Sequence, residues 1–309
     1  MAQAVGVDTQ FPTVSHAKTS SISWDWIGVV PFFLFAILFL LLPTAYLVIG
    51  GFFDGEINLN PGWLISHFTL KNFQELFTPS ILDAYTISIR VSATTAIGGA
   101  FFGFLLAYAA ILGGLPRGIR TALLTFSGVA SNFAGVPLAF SFIATLGRLG
   151  LVTLLLQNVF GFNLYSTGFN ILSFWGLSVT YMYFQFPLMV LIMAPALDGL
   201  KREWHEAAEN LGASSLEYWR YIALPILLPT IIGTTLLLFA NAFGAVATAY
   251  ALTGSSLGII TILLYAQIRG DVLHNPNLGY AMAFGMIAIT GISNGLYIWL
   301  RGRSERWLR

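Results

Sequence analysis

Residues 206–229, with the sequence EAAENLGASSLEYWRYIALPILLP, hold an unusually large share of the charge in this chain. Only 9% of the 309 residues are charged, yet three glutamates and one arginine fall here, between two long apolar runs. Glu206 can form an ion pair with a basic group on another protein, and the small side chains of Ala207 and Ala208 allow a close approach. The residue types of this charged segment (defined as residues 201–225) suit docking more than covalent chemistry.

The signatures of catalysis are missing from the sequence. There is no G-x-x-x-x-G-K-[ST] phosphate loop, no G-x-S-x-G nucleophile motif and no paired-carboxylate site. The chain has no cysteine, which excludes disulfides, thiolate metal sites and thiol catalysis, and its four histidines lack metal-ligand spacing. The chain is therefore predicted not to be an enzyme, to hold no cofactor or metal of its own, and to bind no nucleic acid.

Two short helices joined by a glycine corner are predicted for the charged segment. The first, over 201–211, is indicated by an apolar stripe at helical spacing, formed by Trp204, Ala207, Ala208 and Leu211. Gly212 suits the left-handed conformation that ends many helices. Ser214 and Glu217 are spaced as a capping box that starts the second helix. Pro225 is expected to break or kink the chain before the next apolar run.

The composition is that of an integral membrane protein. Hydrophobic residues make up 57% of the chain and its mean hydropathy is +0.78, which a soluble domain could not carry without exposing large apolar patches. Six segments are long enough to span a membrane: 27–53, 84–112, 119–146, 171–197, 226–254 and 277–300. None of them alternates as barrel strands do. The predicted fold class is an all-α polytopic membrane protein with six transmembrane helices.

The distribution of basic residues predicts how these spans are oriented. If the N-terminus is cytoplasmic, ten of the 14 lysines and arginines lie on the cytoplasmic side, as the positive-inside rule requires. The charged segment and both termini are then cytoplasmic. We expect a cytoplasmic N-terminal segment at 1–26, a first transmembrane helix at 27–53, a core of five helices at 84–300 and a basic cytoplasmic tail at 301–309. The outer side is expected to consist of three connections, 54–83, 147–170 and 255–276.

The charged segment resembles the signature of the permease subunits of binding-protein-dependent ATP-binding-cassette importers. That signature consists of Glu-Ala-Ala, three residues, Gly, nine residues, Ile, one residue and Leu-Pro. Every position of it is occupied here, by Glu206, Ala207, Ala208, Gly212, Ile222, Leu224 and Pro225. The resemblance covers about residues 84–300, and the family places its signature between the fourth and fifth of six spans, as in this sequence.

In that family the first short helix is the coupling helix, which sits in a cleft of an ATPase subunit. The resemblance implies two ATPase subunits, which bind ATP and Mg, and a second permease that we expect to be a different, homologous chain. It also implies an external solute-binding protein and a location in the lipid of the bacterial plasma (inner) membrane. Glu206 would contact the ATPase by an ion pair or as a helix cap, Ala207 and Ala208 would pack closely, and Gly212 would form the corner.

Polar side chains within the spans are candidates for lining a solute pathway, because a polar residue in lipid is costly unless it faces protein or water. The predicted lining residues are Asn132, Tyr181, Gln185, Asn241 and Thr248. The alternative for each of them is a hydrogen bond between helices. The face that holds Gly99 and Gly103 is instead predicted to pack tightly against another helix.

The segment ANAFGAVATAYALTG, which follows the charged segment, resembles the branch of these permeases that serves polyamines, iron(III) and aminoethylphosphonate-type compounds. We expect a small polar solute, with a polyamine-like compound as the leading candidate. The alternative is a stand-alone channel or secondary carrier whose cytoplasmic hairpin only anchors it to the membrane, although the spans lack the mid-membrane carboxylates that coupled carriers use. A membrane scaffold without transport is a third possibility. Glu206→Lys or Gly212→Pro distinguishes an importer from a channel or carrier. Either substitution should uncouple transport from ATP hydrolysis in an importer and should barely affect a channel or carrier.

Overall fold

The computed structural model describes residues 26–55, 60–269 and 275–304. Within these ranges the chain is helical and has no β-strand, apart from an isolated antiparallel bridge between Phe53 and Phe68. The helices are α1 (Trp26–Ala36), α2 (Leu42–Gly50), α3 (Pro61–Ser66), α4 (Lys71–Glu75), α5 (Pro79–Ile111), α6 (Arg117–Ala130), α7 (Val136–Leu146), α8 (Leu151–Phe160), α9 (Phe174–Asp198), α10 (Arg202–Asn210), α11 (Ser215–Tyr218), α12 (Leu224–Gly244), α13 (Val246–Thr253), α14 (Ile260–Arg269) and α15 (Pro276–Ser304). The predicted N-terminal segment lies outside the described residues except for Trp26, and so does the end of the predicted basic tail.

The chain divides into two compact units, one ending at Tyr46 and the other beginning at Leu47. Helix α1 of the first unit passes through a π-helical turn, Ile37–Leu41, into α2, which begins in the first unit and ends at Gly50. Because the turn continues the helix, Gly28–Gly50 is one apolar helix of 23 residues. That length suffices to cross a bilayer.

Six helical segments of the described chain are long and apolar enough to cross a membrane. They are Gly28–Gly50, Pro79–Ile111, Val136–Phe160, Phe174–Asp198, Ser215–Gly244 and Pro276–Gly302. The predicted fold class, an all-α polytopic membrane protein with six transmembrane helices, is therefore confirmed. Helix α10 comes between the fourth and fifth of these segments along the chain.

Helices α5 and α9 pack side by side and form the centre of the second unit, with α12 packed against both. The approach is close because α5 presents glycines to α9. A Cβ atom built at Gly99 would lie 2.7 Å from Gln185 Cβ, and one built at Gly103 would lie 2.6 Å from Met189 Cβ. The prediction that this glycine face packs tightly is confirmed.

The third span is not the continuous helix that was predicted over 119–146. The chain forms α6, leaves helical geometry at 131–135, and resumes as α7. Two local features explain the break. Gly135 has a φ of 78° and a ψ of −150°, a conformation that essentially only glycine adopts. Pro137, at the start of α7, has no amide hydrogen to bond an upstream carbonyl. The apolar stretch long enough to cross a membrane is Val136–Phe160, which combines α7 with α8.

A break or kink was predicted at Pro225; the helix does not break there, and the fifth span breaks elsewhere. A π-helical turn, Trp219–Ala223, joins α11 to α12, and the Leu224 amide donates to the Trp219 carbonyl five residues back. This wider turn relieves the clash that a proline makes with the carbonyl four residues before it. The helix instead stops at Ala245, whose φ and ψ are −78° and 79°, before α13 begins.

The three connections predicted on the outer side contain helices. Helices α3 and α4 lie in the first, α8 in the second and α14 in the third. Helix α14 is packed into the protein: Ile260 is fully buried, and its amide donates to Ser88 Oγ of α5 at 2.9 Å. The sequence reading missed these helices because each is shorter than a membrane span.

Candidate functional site

The charged segment folds as two helices around a glycine corner, as predicted. Helix α10 ends where Gly212 takes a φ of 80°. The Gly212 amide donates to the Glu209 carbonyl at 2.9 Å, and the Ala213 amide to the Ala208 carbonyl at 3.0 Å. Helix α11 begins with the predicted capping box between Ser214 and Glu217. The corner is therefore held by local hydrogen bonds on both sides of Gly212.

The apolar stripe predicted on α10 is divided between two surfaces. Ala208 is buried with Tyr218 and Ala223, and Trp204 packs against this small cluster. Ala207 is exposed, and Leu211 is 88% exposed. One side of the stripe therefore anchors α10 to the following helix, while the other side is an outward apolar surface with small residues.

Glu206 lies on the exposed side of α10 and forms an ion pair within the helix. The Arg202 Nε atom donates to Glu206 Oε1 at 2.9 Å, and both side chains are largely in solvent. Exposed pairs at this spacing stabilise a helix by only about 0.3–0.5 kcal/mol. Glu206 can therefore exchange Arg202 for a basic group on another protein at little cost.

The last three signature residues lie where the π turn meets α12. Ile222 is half-buried and packs on the cluster of Ala208, Tyr218 and Ala223. Leu224 and Pro225 are exposed. The seven signature residues therefore lie along one stretch of the chain, from α10 through the glycine corner to the start of α12, and they do not converge on a pocket.

The breaks in the third and fifth spans face each other. The Gly135 amide, freed by the first break, donates to Thr248 Oγ1 of α13 at 2.7 Å. The Ala245 carbonyl, freed by the second break, accepts a hydrogen bond from the Tyr181 hydroxyl of α9. Non-helical backbone at membrane depth requires such partners. Helices α7 and α13 pack against each other beside these bonds.

The predicted pathway residues fall into two groups. Tyr181, Gln185 and Thr248 are buried inside the chain and form hydrogen bonds to the backbone of other helices, Gln185 Nε2 donating to the Leu238 carbonyl at 2.8 Å. These three residues therefore fit the alternative given above, a hydrogen bond between helices, and not the lining of a pathway. Asn132 and Asn241 are exposed, and each lies within four residues of a helix break. Asn132 Nδ2 donates to the Gly128 carbonyl at 3.0 Å.

Comparison with known proteins identifies the family of this chain. Residues 125–309 match the family described as "Binding-protein-dependent transport system inner membrane component". The chain belongs to this family. It is 25% identical, over 96% of its length, to a putative ferric transport system permease protein of Haemophilus influenzae (strain Rd), and it covers 46% of that protein. The chain thus spans less than half the length of that relative.

Two further similarities cover most of this chain and most of the other protein. The chain is 24% identical to the putrescine transport system permease protein of Escherichia coli (strain K12), over 87% of the chain and 88% of that protein. Its fold resembles a chain of a bacterial ABC transporter involved in the import of the acidic polysaccharide alginate, with a TM-score of 0.64 and 17% identity over 91% of this chain and 96% of that one. The latter similarity concerns the fold alone.

Thr248→Val is expected to destabilise this family member by about 1–3 kcal/mol, because the Gly135 amide would lose its acceptor inside the protein. The measurement is thermal unfolding of the purified protein in detergent. Thr234→Val is the matched control: Thr234 is fully buried and its hydroxyl has no hydrogen-bond partner among the described residues. Equal melting temperatures for the two variants would show that the bond to Gly135 contributes nothing.

Sequence reasoning missed three residues that position the site. Gly135 and Ala245 mark the paired breaks. The pattern Gly-Val-Pro signals the first break, whereas Gly244 is the one local signal of the second. The third is Arg120, whose Nη2 atom lies 2.9 and 2.6 Å from the two carboxylate oxygens of Asp198. This pair joins the start of α6 to the end of α9, next to the charged segment.

Proposed function

We propose that this chain is the transmembrane permease subunit of an ATP-driven importer, and that it forms the translocation pathway together with a second, homologous permease. The observation that supports this most is the placement of Glu206, Ala207 and Gly212 on an exposed, locally braced corner. Ala207 and the neighbouring Leu211 offer a partner an apolar contact, and Glu206 offers an exchangeable charge. An external binding protein would deliver the solute, as the name of the family indicates.

ATP and Mg would bind to two separate ATPase subunits, so this chain is not itself an enzyme. Helix α10 would act as the coupling helix in the ATPase cleft, on the cytoplasmic side of the inner membrane. Its buried side, Ala208, packs on Tyr218 and Ala223. Because Ala223 ends the π turn that leads into α12, a displacement of α10 would move α12 with it.

The movement of α12 would reach the interior through the paired breaks. Helix α12 ends at Ala245, which Tyr181 holds to α9, and the following α13 is held to Gly135 by Thr248. Tyr181, Gln185 and Thr248 would therefore position the broken spans. We propose Asn132 and Asn241, which are exposed beside the breaks, as the residues of the chain that contact the solute.

The solute is proposed to be small and polar, and polyamines are the first compounds to test. The support is the similarity to the putrescine permease over most of both chains. The ferric relative is similar over almost all of this chain, so iron is the competing solute.

The experiment that tests the coupling role is affinity purification of the chain from its native membrane in mild detergent. An ATPase with a phosphate loop and a second permease should be recovered with it. Glu206→Lys should lose the ATPase, because it reverses the charge at the contact. Glu203→Lys, the same change outside the signature on the same helix, should retain it. Recovery of the wild-type chain alone would contradict the proposal and favour a stand-alone channel or carrier.

The same purified complex, placed in liposomes with its binding protein, tests the solute. ATP-dependent accumulation of radiolabelled putrescine is expected. Accumulation of iron without putrescine would overturn the polyamine assignment and leave the importer role intact. Accumulation of either solute without ATP would contradict the importer role.

A further inference from the structure

A cavity of about 370 Å³ lies beside the charged segment, where α5 and α9 end. Its size is within the range of small-ligand sites. One side is lined by the basic residues Lys201, Arg202 and His205, and the other by aromatic and aliphatic side chains of the helix ends and the π turn. Nothing in the proposed coupling role requires this cavity.

The charges of α10 are sorted with respect to the cavity. Lys201 and Arg202, at its start, line the cavity, whereas Glu203, Glu206 and Glu209 do not. His205 also lines it, but its Nδ1 atom lies 3.5 Å from Glu209 Oε1. Arg202 uses its Nε atom for Glu206, which leaves the other guanidinium donors available. Lys201 lies over the Trp204 ring, 5.8 Å from its centroid, and that contact leaves its ammonium protons available. The lining is therefore suited to an anionic group.

The aromatic wall indicates the depth at which this cavity lies. Tyr108 of α5 and Trp219 of the π turn meet edge to face, with ring centroids 5.1 Å apart. Tyr and Trp are enriched at the level of the lipid headgroups. Leu112, which follows α5 and also lines the cavity, is 43% exposed and continues the wall towards the apolar surface of the span.

We propose that this cavity binds the phosphate group of an anionic phospholipid, with Lys201 and Arg202 as the phosphate contacts. The basic side meets the phosphate, and Leu112 and the aromatic wall meet the glycerol and the first part of the acyl chains. A lipid bound here would brace α10 against the end of α5. The proposal depends on the membrane fold and not on the solute or the ATPase.

The test uses the full complex in nanodiscs of phosphatidylcholine with and without phosphatidylglycerol, followed by native mass spectrometry of the lipid retained per chain. The wild type should retain one phosphatidylglycerol. Lys201→Gln/Arg202→Gln should bind it about 25-fold more weakly, since each basic side chain near anionic lipid contributes about fivefold. Arg117→Gln/Arg220→Gln removes two exposed basic charges from the same end of the spans, outside the cavity, and should retain the lipid.

Two further experiments test whether the charges, and not the fold of α10, bind the lipid, and whether the ligand is a lipid or a soluble phosphate. Lys201→Arg/Arg202→Lys keeps both charges and should retain phosphatidylglycerol, which excludes a general disturbance of α10. Glycerol 3-phosphate, added at millimolar concentration, should not displace the lipid. Displacement by glycerol 3-phosphate would overturn the lipid assignment in favour of a soluble phosphate ligand. Equal lipid loss in the two glutamine variants would overturn the site itself.

Discussion

Gly212→Val is expected to abolish ATP-driven uptake while the six spans stay folded. The backbone at Gly212 has a φ of 80°, and a β-branched residue held in this region costs on the order of 1–3 kcal/mol. No atom lies within 4 Å of a Cβ built there, so the effect comes from the backbone and not from a steric clash. Relief of the strain would turn α10 relative to α11 and misplace Glu206 and Ala207. The measurement is ATPase activity stimulated by the binding protein, together with recovery of the ATPase on purification.

Two substitutions control for this result. Gly212→Asn should retain most of the activity, because asparagine tolerates the left-handed conformation. Gly118→Val places the same side chain in α6, at a position with open space around its Cβ, and should be nearly neutral for coupling. Full stimulation of the Gly212→Val complex would refute the corner as a coupling element.

Gly103→Ala is expected to lower the stability of the protein by about 1–3 kcal/mol, and Gly103→Leu to prevent folding. The new Cβ would lie 2.6 Å from Met189 Cβ and 2.8 Å from the Phe186 carbonyl oxygen. The first neighbour is a Cβ atom and the second is a backbone atom, so neither can move by rotation of a side chain. Helices α5 and α9 would have to separate. The melting temperature of the purified protein in detergent measures this.

Gly98→Ala is the matched control for that prediction. Its Cβ would meet chiefly the terminal methyl group of Met182, which can rotate to another position. The stability should therefore change little. If Gly98→Ala and Gly103→Ala lowered the melting temperature equally, close backbone packing at Gly103 would not be the cause.

Features that depend on neighbours along the chain could be predicted from the sequence. The capping box of Ser214 and Glu217 and the left-handed Gly212 involve residues at most a few positions apart, and both were found as predicted. The six spans follow from long apolar runs, because a bilayer requires such runs of any helix that crosses it. The match to the permease signature also depends only on the residue types at fixed positions of the sequence, and what it implies comes from the resemblance to that family.

Features that depend on remote parts of the chain could not be predicted from the sequence. Pro225 breaks no helix because the preceding π turn makes room for it, and the break at Ala245 is stabilised by Tyr181, 64 residues away. Likewise, spacing places Ala207 and Ala208 on one stripe, but packing of Tyr218 and Ala223 buries only Ala208.

The candidate pathway residues also show which features the sequence predicts and which depend on the tertiary structure. Their positions inside apolar spans identified five polar residues that lipid would not tolerate unless they faced protein or water: Asn132, Tyr181, Gln185, Asn241 and Thr248. The sequence by itself determined that each must have a polar partner or face water. Only the tertiary structure decided which of them are buried and bonded to another helix, because burial and hydrogen bonding depend on the helices that pack around a residue. Tyr181, Gln185 and Thr248 bond the backbone of other helices, while Asn132 and Asn241 remain exposed beside the breaks.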